Sequence, residues 1–260
     1  MAYLSPVLTL ITGAVKKVSN ALTRDFNELE HLQSASRSDT LFAQRSLERT
    51  ERVLKEELSK IKPGYPIIAQ ANEVIPTSGN YFLISPICGF TNFAHANGNF
   101  AVSVALVENN IIVDAVVYNP IYDEMFFAER GYGAFKEGFR NQERLRVAGN
   151  KNIDKALLIC NAKTELLQKV CNISANLQVS GCIALDLAYL AAGKSDAVIA
   201  TDNTPANIAA GMLLVKESGG YIFAVGETDI RTENLKKVLF GGNIIATNEA
   251  LRQKIAEAMA

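Results

Sequence analysis

Two histidines and four cysteines are all that 260 residues offer a soft or borderline metal ion. The cysteines, Cys88, Cys160, Cys171 and Cys182, form no Cys-x-x-Cys pair, and neither His31 nor His95 supplies a partner at ligand spacing. That spacing excludes a zinc-finger-like site, and reduced, mostly buried thiols are expected. Excess charge is missing too. The 26 basic and 27 acidic side chains leave a formal charge of −1, which gives no broad basic field for nucleic acid or an anionic membrane surface. No apolar run reaches the length of a membrane span, because Thr9, Thr12 and Lys16-Lys17 interrupt the N-terminal stretch. There is no internal repeat and no low-complexity linker. These absences point to a cytoplasmic, water-soluble protein whose partners include neither membrane nor nucleic acid.

What is present is ample core: 48% of the residues are hydrophobic, enough for one large domain over 1–260 with two packed sub-halves, about 1–150 and 151–260. The N-terminal third reads as helix. Val7, Leu10, Ile11, Ala14, Val15 and Val18 recur at three and four, which makes one amphipathic face. A polar break over 34–39 follows, and Leu47, Val53, Leu54, Leu58 and Ile61 mark a second, charge-rich helix closed by Pro63-Gly64. From Tyr81 to Phe127 the texture becomes β-branched and alternating, with a hairpin turning at Asn109-Asn110. After Gly149-Asn150, short apolar strands alternate with helices expected at about 182–192, 205–217 and 248–258. Pattern alone thus gives a mixed α/β (α+β) protein.

Several longer stretches carry more specific information. Residues 85–93 read Ser-Pro-Ile-Cys-Gly-Phe-Thr-Asn-Phe, followed by Phe100 to Ala105, Val116-Val117-Tyr118-Asn119-Pro120 and Gly131-Tyr132-Gly133-Ala134-Phe135. Further on come Gly181-Cys182-Ile183-Ala184-Leu185-Asp186-Leu187-Ala188-Tyr189-Leu190-Ala191-Ala192-Gly193 and Ala206-Asn207-Ile208-Ala209-Ala210-Gly211. In order and spacing these segments resemble the inositol monophosphatase family, especially its bacterial extragenic-suppressor-like branch. The resemblance covers most of the chain. It implies a five-layer αβαβα sandwich, a homodimer, and Mg²⁺-dependent hydrolysis of inositol or sugar monophosphates.

The same resemblance locates the departures. Where the family writes Asp-Pro-Ile/Leu-Asp-Gly-Thr-Thr-Asn-Phe, this chain has Ser85 and Cys88 in place of two metal-binding aspartates. The aspartate of the Trp-Asp-x-Ala-Ala-Gly signature is Asn207, and the chain contains no tryptophan at all. Counting from Pro63 sets Gln70 and Ala71 at the Glu-Glu pair whose first member binds metal. Of the family's protein ligands only the backbone carbonyl of Ile87 is indifferent to substitution. The threonine that orients water is Phe90, and the glutamate that contacts inositol hydroxyls falls near Ala200. The Thr-Glu-x-Asp signature ahead of the second helix maps loosely onto Ala43-Gln44-Arg45-Ser46.

Phosphate-monoester hydrolysis needs hard cations to neutralise the phosphoryl oxygens and to generate hydroxide, and magnesium sites are built on carboxylates. Gln70, Ser85, Cys88 and Asn207 are all uncharged. Carboxylates left without metal repel one another by about 1 kcal/mol per pair at about 4 Å in water and about 4 kcal/mol at an effective dielectric of about 20, so joint neutral replacement is the drift expected once turnover is no longer selected. The expectation is a silent pseudo-enzyme needing no cofactor, kept for a protein partner or a phosphorylated small molecule. Two alternatives stay open: an active or weak phosphatase that uses Mg²⁺, and a regulatory protein in RNA metabolism. Gly89, Phe90 and Thr91 open a helix whose amides receive phosphate in the family, and Gly181-Cys182 opens another; both starts are also explained as ordinary helix caps. His95 reads as a loop hydrogen-bonder and His31 as solvated. Cys88 at a helix start has one feature of an activated thiol but no histidine beside it in the family frame. Glu73, Asp39 and Asp202 lie near lost ligands in sequence, and surface solvation is expected for them.

Overall fold

The computed structural model describes residues 5–34, 40–69, 73–76, 78–138, 141–174, 176–227 and 234–259. Two long helices come first, α1 (Pro6–Ser34) and α2 (Thr40–Ile61). The apolar stripe that sets α1 does not stop at Val18 but continues through the buried Leu22, Phe26 and Leu29. The helix is correspondingly longer than its first periodic residues imply. α2 begins ahead of its first apolar marker, so residues 43–46 lie inside the helix rather than before it. Ser46 is buried there with its hydroxyl donating to the Phe42 carbonyl at 3.1 Å, which corrects its assignment to a pre-helical signature.

Seven strands follow in one sheet, in sequence order: β1 (Ile67–Ile68), β2 (Tyr81–Cys88), β3 (Ala101–Glu108), β4 (Ile111–Asn119), β5 (Glu124–Glu129), β6 (Gly133–Glu137) and β7 (Gln142–Arg144). All its pairs are antiparallel except β1 with β2. The β3–β4 hairpin turns at Asn109-Asn110, whose φ values of 52° and 63° are those of a type I′ turn, which asparagine tolerates best after glycine. A second sheet has the order β11 (Tyr221–Phe223), β12 (Ile244–Thr247), β10 (Ala197–Ala200), β8 (Leu157–Asn161) and β9 (Asn176–Gln178).

Both sheets are buried on both faces, and the side-chain period of two sorts each strand between two cores. In β2, Tyr81 and Leu83 face the centre of the molecule while Phe82 and Ile84 face α1 and α2. In β10, Val198 and Ala200 face the centre while Ala197 and Ile199 face outward. The centre is filled by α5 (Ile183–Ala191) and α6 (Pro205–Glu217), and the outer face of the second sheet is covered by α4 (Thr164–Ile173) and α8 (Glu249–Met259). Helix pair, sheet, helix pair, sheet, helix pair is the αβαβα sandwich. Two further short helices, α3 (Phe90–Ala94) and α7 (Leu235–Gly241), and a single 3-10 turn at Ile153–Lys155 complete the described elements.

Candidate functional site

The central helix pair positions the site. Pro86 interrupts β2, because a residue without an N–H cannot serve the ladder. The register with β3 accordingly shifts between Ser85, opposite Ser103, and Cys88, opposite Ala101. Ser85 shares a strand face with Tyr81 and Leu83, so it looks toward α5 and α6. Ser103 lies beside it with its hydroxyl buried and unpaired among the described residues. The strand ends at Gly89, where φ is 86° and an added Cβ would stand 2.9 Å from the Asn99 carbonyl oxygen and 3.0 Å from Cys182 Cβ. Only glycine satisfies both demands.

From this turn the chain enters α3, and Asn92 ties the loop to the neighbouring segment. Its Nδ2 donates to the carbonyls of Asn99 at 2.8 Å and Ser180 at 2.9 Å, and Asn99 Nδ2 donates to the same Ser180 oxygen at 3.0 Å. Gly181, at φ 79°, packs against that amide and gives its N–H to Asn161 Oδ1 at 3.1 Å. Asn161 Nδ2 and the Ser180 hydroxyl both donate to Asp186 Oδ2, at 2.5 and 2.6 Å. Burial raises the Asp186 carboxyl to about 6 even though these two hydrogen bonds pull it down. The network brings the start of α5 beside the end of β2.

There Cys182, the N-cap of α5, meets Cys88. Its thiol donates to the Cys88 carbonyl at 3.2 Å. The Cys88 thiol is held below its usual range by the neighbouring Cys182 side chain, against burial and with help from the Ala184 amide and Ser85. Burial pushes the Cys182 thiol well up. The sequence quoted both residues in separate motifs, but nothing in their spacing signals the contact.

Asn207 lies half-buried in the first turn of α6 and donates its N–H to the Thr204 carbonyl at 3.0 Å. At the other end of this helix Met212, Leu213, Lys216 and Glu217 line one cavity with Tyr81, the first residue of β2. The helix therefore runs against the strand, which sets Asn207 toward the end that carries Ser85 and Cys88. Ile87, by contrast, turns its side chain to the outer core beneath α1 and α2. Phe90 is half-buried and Thr91 exposed at the start of α3. Ala200 is wholly buried at the end of β10, its Cβ in the central core. That position corrects its reading as a substrate contact: its neighbours Thr201 and Asp202 reach the surface, lining a shallow depression of about 340 Å³ with Asn161, Lys163 and Val179.

The spare carboxylates are occupied elsewhere. Glu73 accepts from the Ala69 N–H and pairs with Lys55 at 3.0 Å, and Asp202 pairs with Lys163 at 3.0 Å on the surface. Gln70, Ala71 and Asp39 lie outside the described residues. His95 caps α3, its N–H shared between the Thr91 and Asn92 carbonyls. His31 is exposed on α1. The donors at the described ligand positions are a hydroxyl, a thiol, an amide and one carbonyl, a set that does not fit Mg²⁺.

Comparison with known proteins agrees with this architecture. The model of the inositol monophosphatase family matches residues 3–260. An inositol-1-monophosphatase of Rhizobium meliloti is 35% identical over 98% of this chain and 96% of its own length. The Nus factor SuhB of Escherichia coli is 30% identical over 94% and 91%. The crystal structure of the extragenic suppressor protein suhB from Bartonella henselae superposes with a TM-score of 0.84 at 32% identity, covering 98% of this chain and 99% of that one. The chain belongs to the inositol monophosphatase family.

Proposed function

We propose that this chain is a catalytically silent member of its family, retained to bind a partner or a phosphorylated small molecule. The observation that carries the reading is the donor set. Ser85, Cys88 and Asn207 are neutral, and the Cys88 thiol is already engaged by Cys182. Gln70 adds a fourth neutral residue by sequence. Without carboxylates, divalent ions lose their anchorage, and with them go charge neutralisation and water activation. Anion-binding amides survive that loss. The turn at Gly89, Phe90 and Thr91 opens α3, and a helix start can hold a phosphate without metal, whereas the Gly181 and Cys182 N–H groups are taken by Asn161 Oδ1 and the Ser180 hydroxyl.

The inositol-1-monophosphatase names of relatives favour a second reading, a Mg²⁺-dependent phosphatase of inositol or sugar monophosphates. The Nus factor names of others favour a regulatory role in RNA metabolism, by analogy alone. A homodimer and a cytoplasmic setting are part of the same proposal in either case. Among the described residues no helix is long and apolar enough to cross a membrane. Sedimentation tests the dimer, against a protomer of 28.2 kDa.

Thermal melts with and without millimolar Mg²⁺ separate the silent from the active reading. A ligand at about a hundred times its dissociation constant adds about 2.7 kcal/mol to the native state. We expect no shift, and phosphomonoester hydrolysis at background. A chelator-reversible rise of many degrees, or metal-dependent turnover near about 1 per second, would overturn the proposal.

A further inference from the structure

Two thiols meet where the end of β2 approaches the start of α5, one of them at a position where the family frame has an aspartate. Cys88 and Cys182 are 94 positions apart in the chain, yet Cys182 Sγ stands 3.2 Å from the Cys88 carbonyl oxygen. Gly89 makes the approach possible, since any Cβ there would press on Cys182 Cβ at 3.0 Å and Sγ at 3.4 Å. A lone cysteine in a core is a small hydrophobe. Two that converge on one point from separate segments of the chain are a dithiol.

We infer that Cys88 and Cys182 form a peroxide-oxidisable dithiol site, with Cys88 as the attacking sulfur and Cys182 as the resolving one. The roles follow from what surrounds each sulfur. Cys88 keeps 3% of its surface open while Cys182 keeps none, and Cys88 lies beside the start of α5, where helix starts favour a thiolate. Cys182 is a donor to the Cys88 carbonyl and is wholly buried, which keeps its proton in place. Asp186 disfavours negative charge on both sulfurs, but its effect does not distinguish them.

In the first step the Cys88 thiolate attacks hydrogen peroxide. A sulfur–oxygen bond forms, the oxygen–oxygen bond breaks, and hydroxide leaves to take a proton from solvent. In the second, Cys182 attacks the resulting sulfenic sulfur. The disulfide forms, the sulfur–oxygen bond breaks, and water departs with the Cys182 proton. Two thiols are oxidised and one peroxide is reduced to two waters. Because Cys88 is only 3% exposed and Cys182 not at all, the site selects a small neutral oxidant over a bulky disulfide such as oxidised glutathione. The inference goes beyond the silent-enzyme reading and stands whether or not the cleft takes phosphate.

The test treats the folded, full-length protein with hydrogen peroxide, alkylates free thiols in denaturant, and maps the peptides by mass spectrometry. The expected result is a Cys88–Cys182 cross-linked peptide, a fall from four titratable thiols to two, and reversal by dithiothreitol. A Cys171→Ser background removes the exposed thiol. In that background Cys182→Ser should leave Cys88 trapped by dimedone as a sulfenic acid, while Cys88→Ser should leave Cys182 unreacted. Oxidised glutathione should modify neither. If Cys88 and Cys182 are both alkylated after peroxide, or if a Cys160–Cys171 bridge forms in their place, there is no such site. If Cys182 carries the sulfenic acid, the roles are wrong. The wild-type cross-link decides the matter even if a variant fails to fold.

Discussion

Among the described residues, Asp114 is an acidic side chain whose surroundings strongly resist its charge. It is buried on β4, beside a cavity of about 330 Å³ also lined by Lys62, Glu108, Glu129 and Arg130. Burial and the charges of Glu129 and Glu108 outweigh Lys62 and raise its carboxyl from 3.8 to about 7. The folded state therefore holds a proton that the unfolded chain releases. This contribution is fully present below the unfolded value and is lost as pH rises through about 7. After allowance for solvent screening the loss is on the order of 1–2 kcal/mol. Urea unfolding at pH 5 and pH 8 should show Asp114→Asn losing less stability than wild type by that amount. Equal losses in both proteins would mean that the carboxyl titrates normally. The ligand positions make their own prediction. Gln70→Glu, Ser85→Asp, Cys88→Asp and Asn207→Asp together should bind Mn²⁺ or Mg²⁺ in calorimetric titration, while single changes bind far less, since one carboxylate cannot hold a dication against its hydration shell. A folded quadruple variant that binds no more metal than wild type refutes the mapping.

α6 shows how tightly the middle layer constrains its residues. Gly211 faces Leu187 of α5, and an added Cβ would sit 2.5 Å from Leu187 Cβ and 2.6 Å from Cδ1. Alanine ordinarily favours a helix interior by about 1 kcal/mol over glycine. Here Gly211→Ala should instead destabilise by about 1–3 kcal/mol through overpacking. Combined with Leu187→Gly, which removes the Cβ as well as the rest of the side chain, its cost should shrink, and purely additive losses in a double-mutant cycle would remove the proposed clash. The helices at 183–191, 205–217 and 249–259 and the Asn109-Asn110 hairpin were legible because each carries its own pattern or turn chemistry. α4 was not. Its apolar residues Leu166, Leu167, Val170 and Ile173 do recur at helical spacing, but the helix is only ten residues long with one fully buried residue, Val170, and it packs on β8 and α8. The Cys88–Cys182 contact was illegible for a related reason: the register shift at Pro86 and the bonds from Asn92 to Ser180 create it, and neither has a sequence period. The departures at Ser85, Cys88 and Asn207 were legible only because the surrounding frame of Pro86, Gly89, Asn92 and Gly181 is present.

At the scale of the molecule, the central core is shared: residues of both sheets and of α5 and α6 belong to one buried cluster. Neither sheet can expose its inner face without stripping the other's cover, so the two should unfold together. Hydrogen exchange in rising urea tests this. β2–β5 and β8–β12 should lose protection at one denaturant midpoint, and two separated midpoints would show that the sheets are independent units. The asparagine that clasps the loop adds a consequence of another kind. Asn92 bonds the Asn99 and Ser180 carbonyls, so the chain path around the cleft is secured by contacts that never involved a metal. A lineage can therefore discard its chemistry one carboxylate at a time while selection for foldability preserves the surrounding letters. The most recognisable stretch of such a protein records its ancestry, and its present occupation must be sought in the residues that changed.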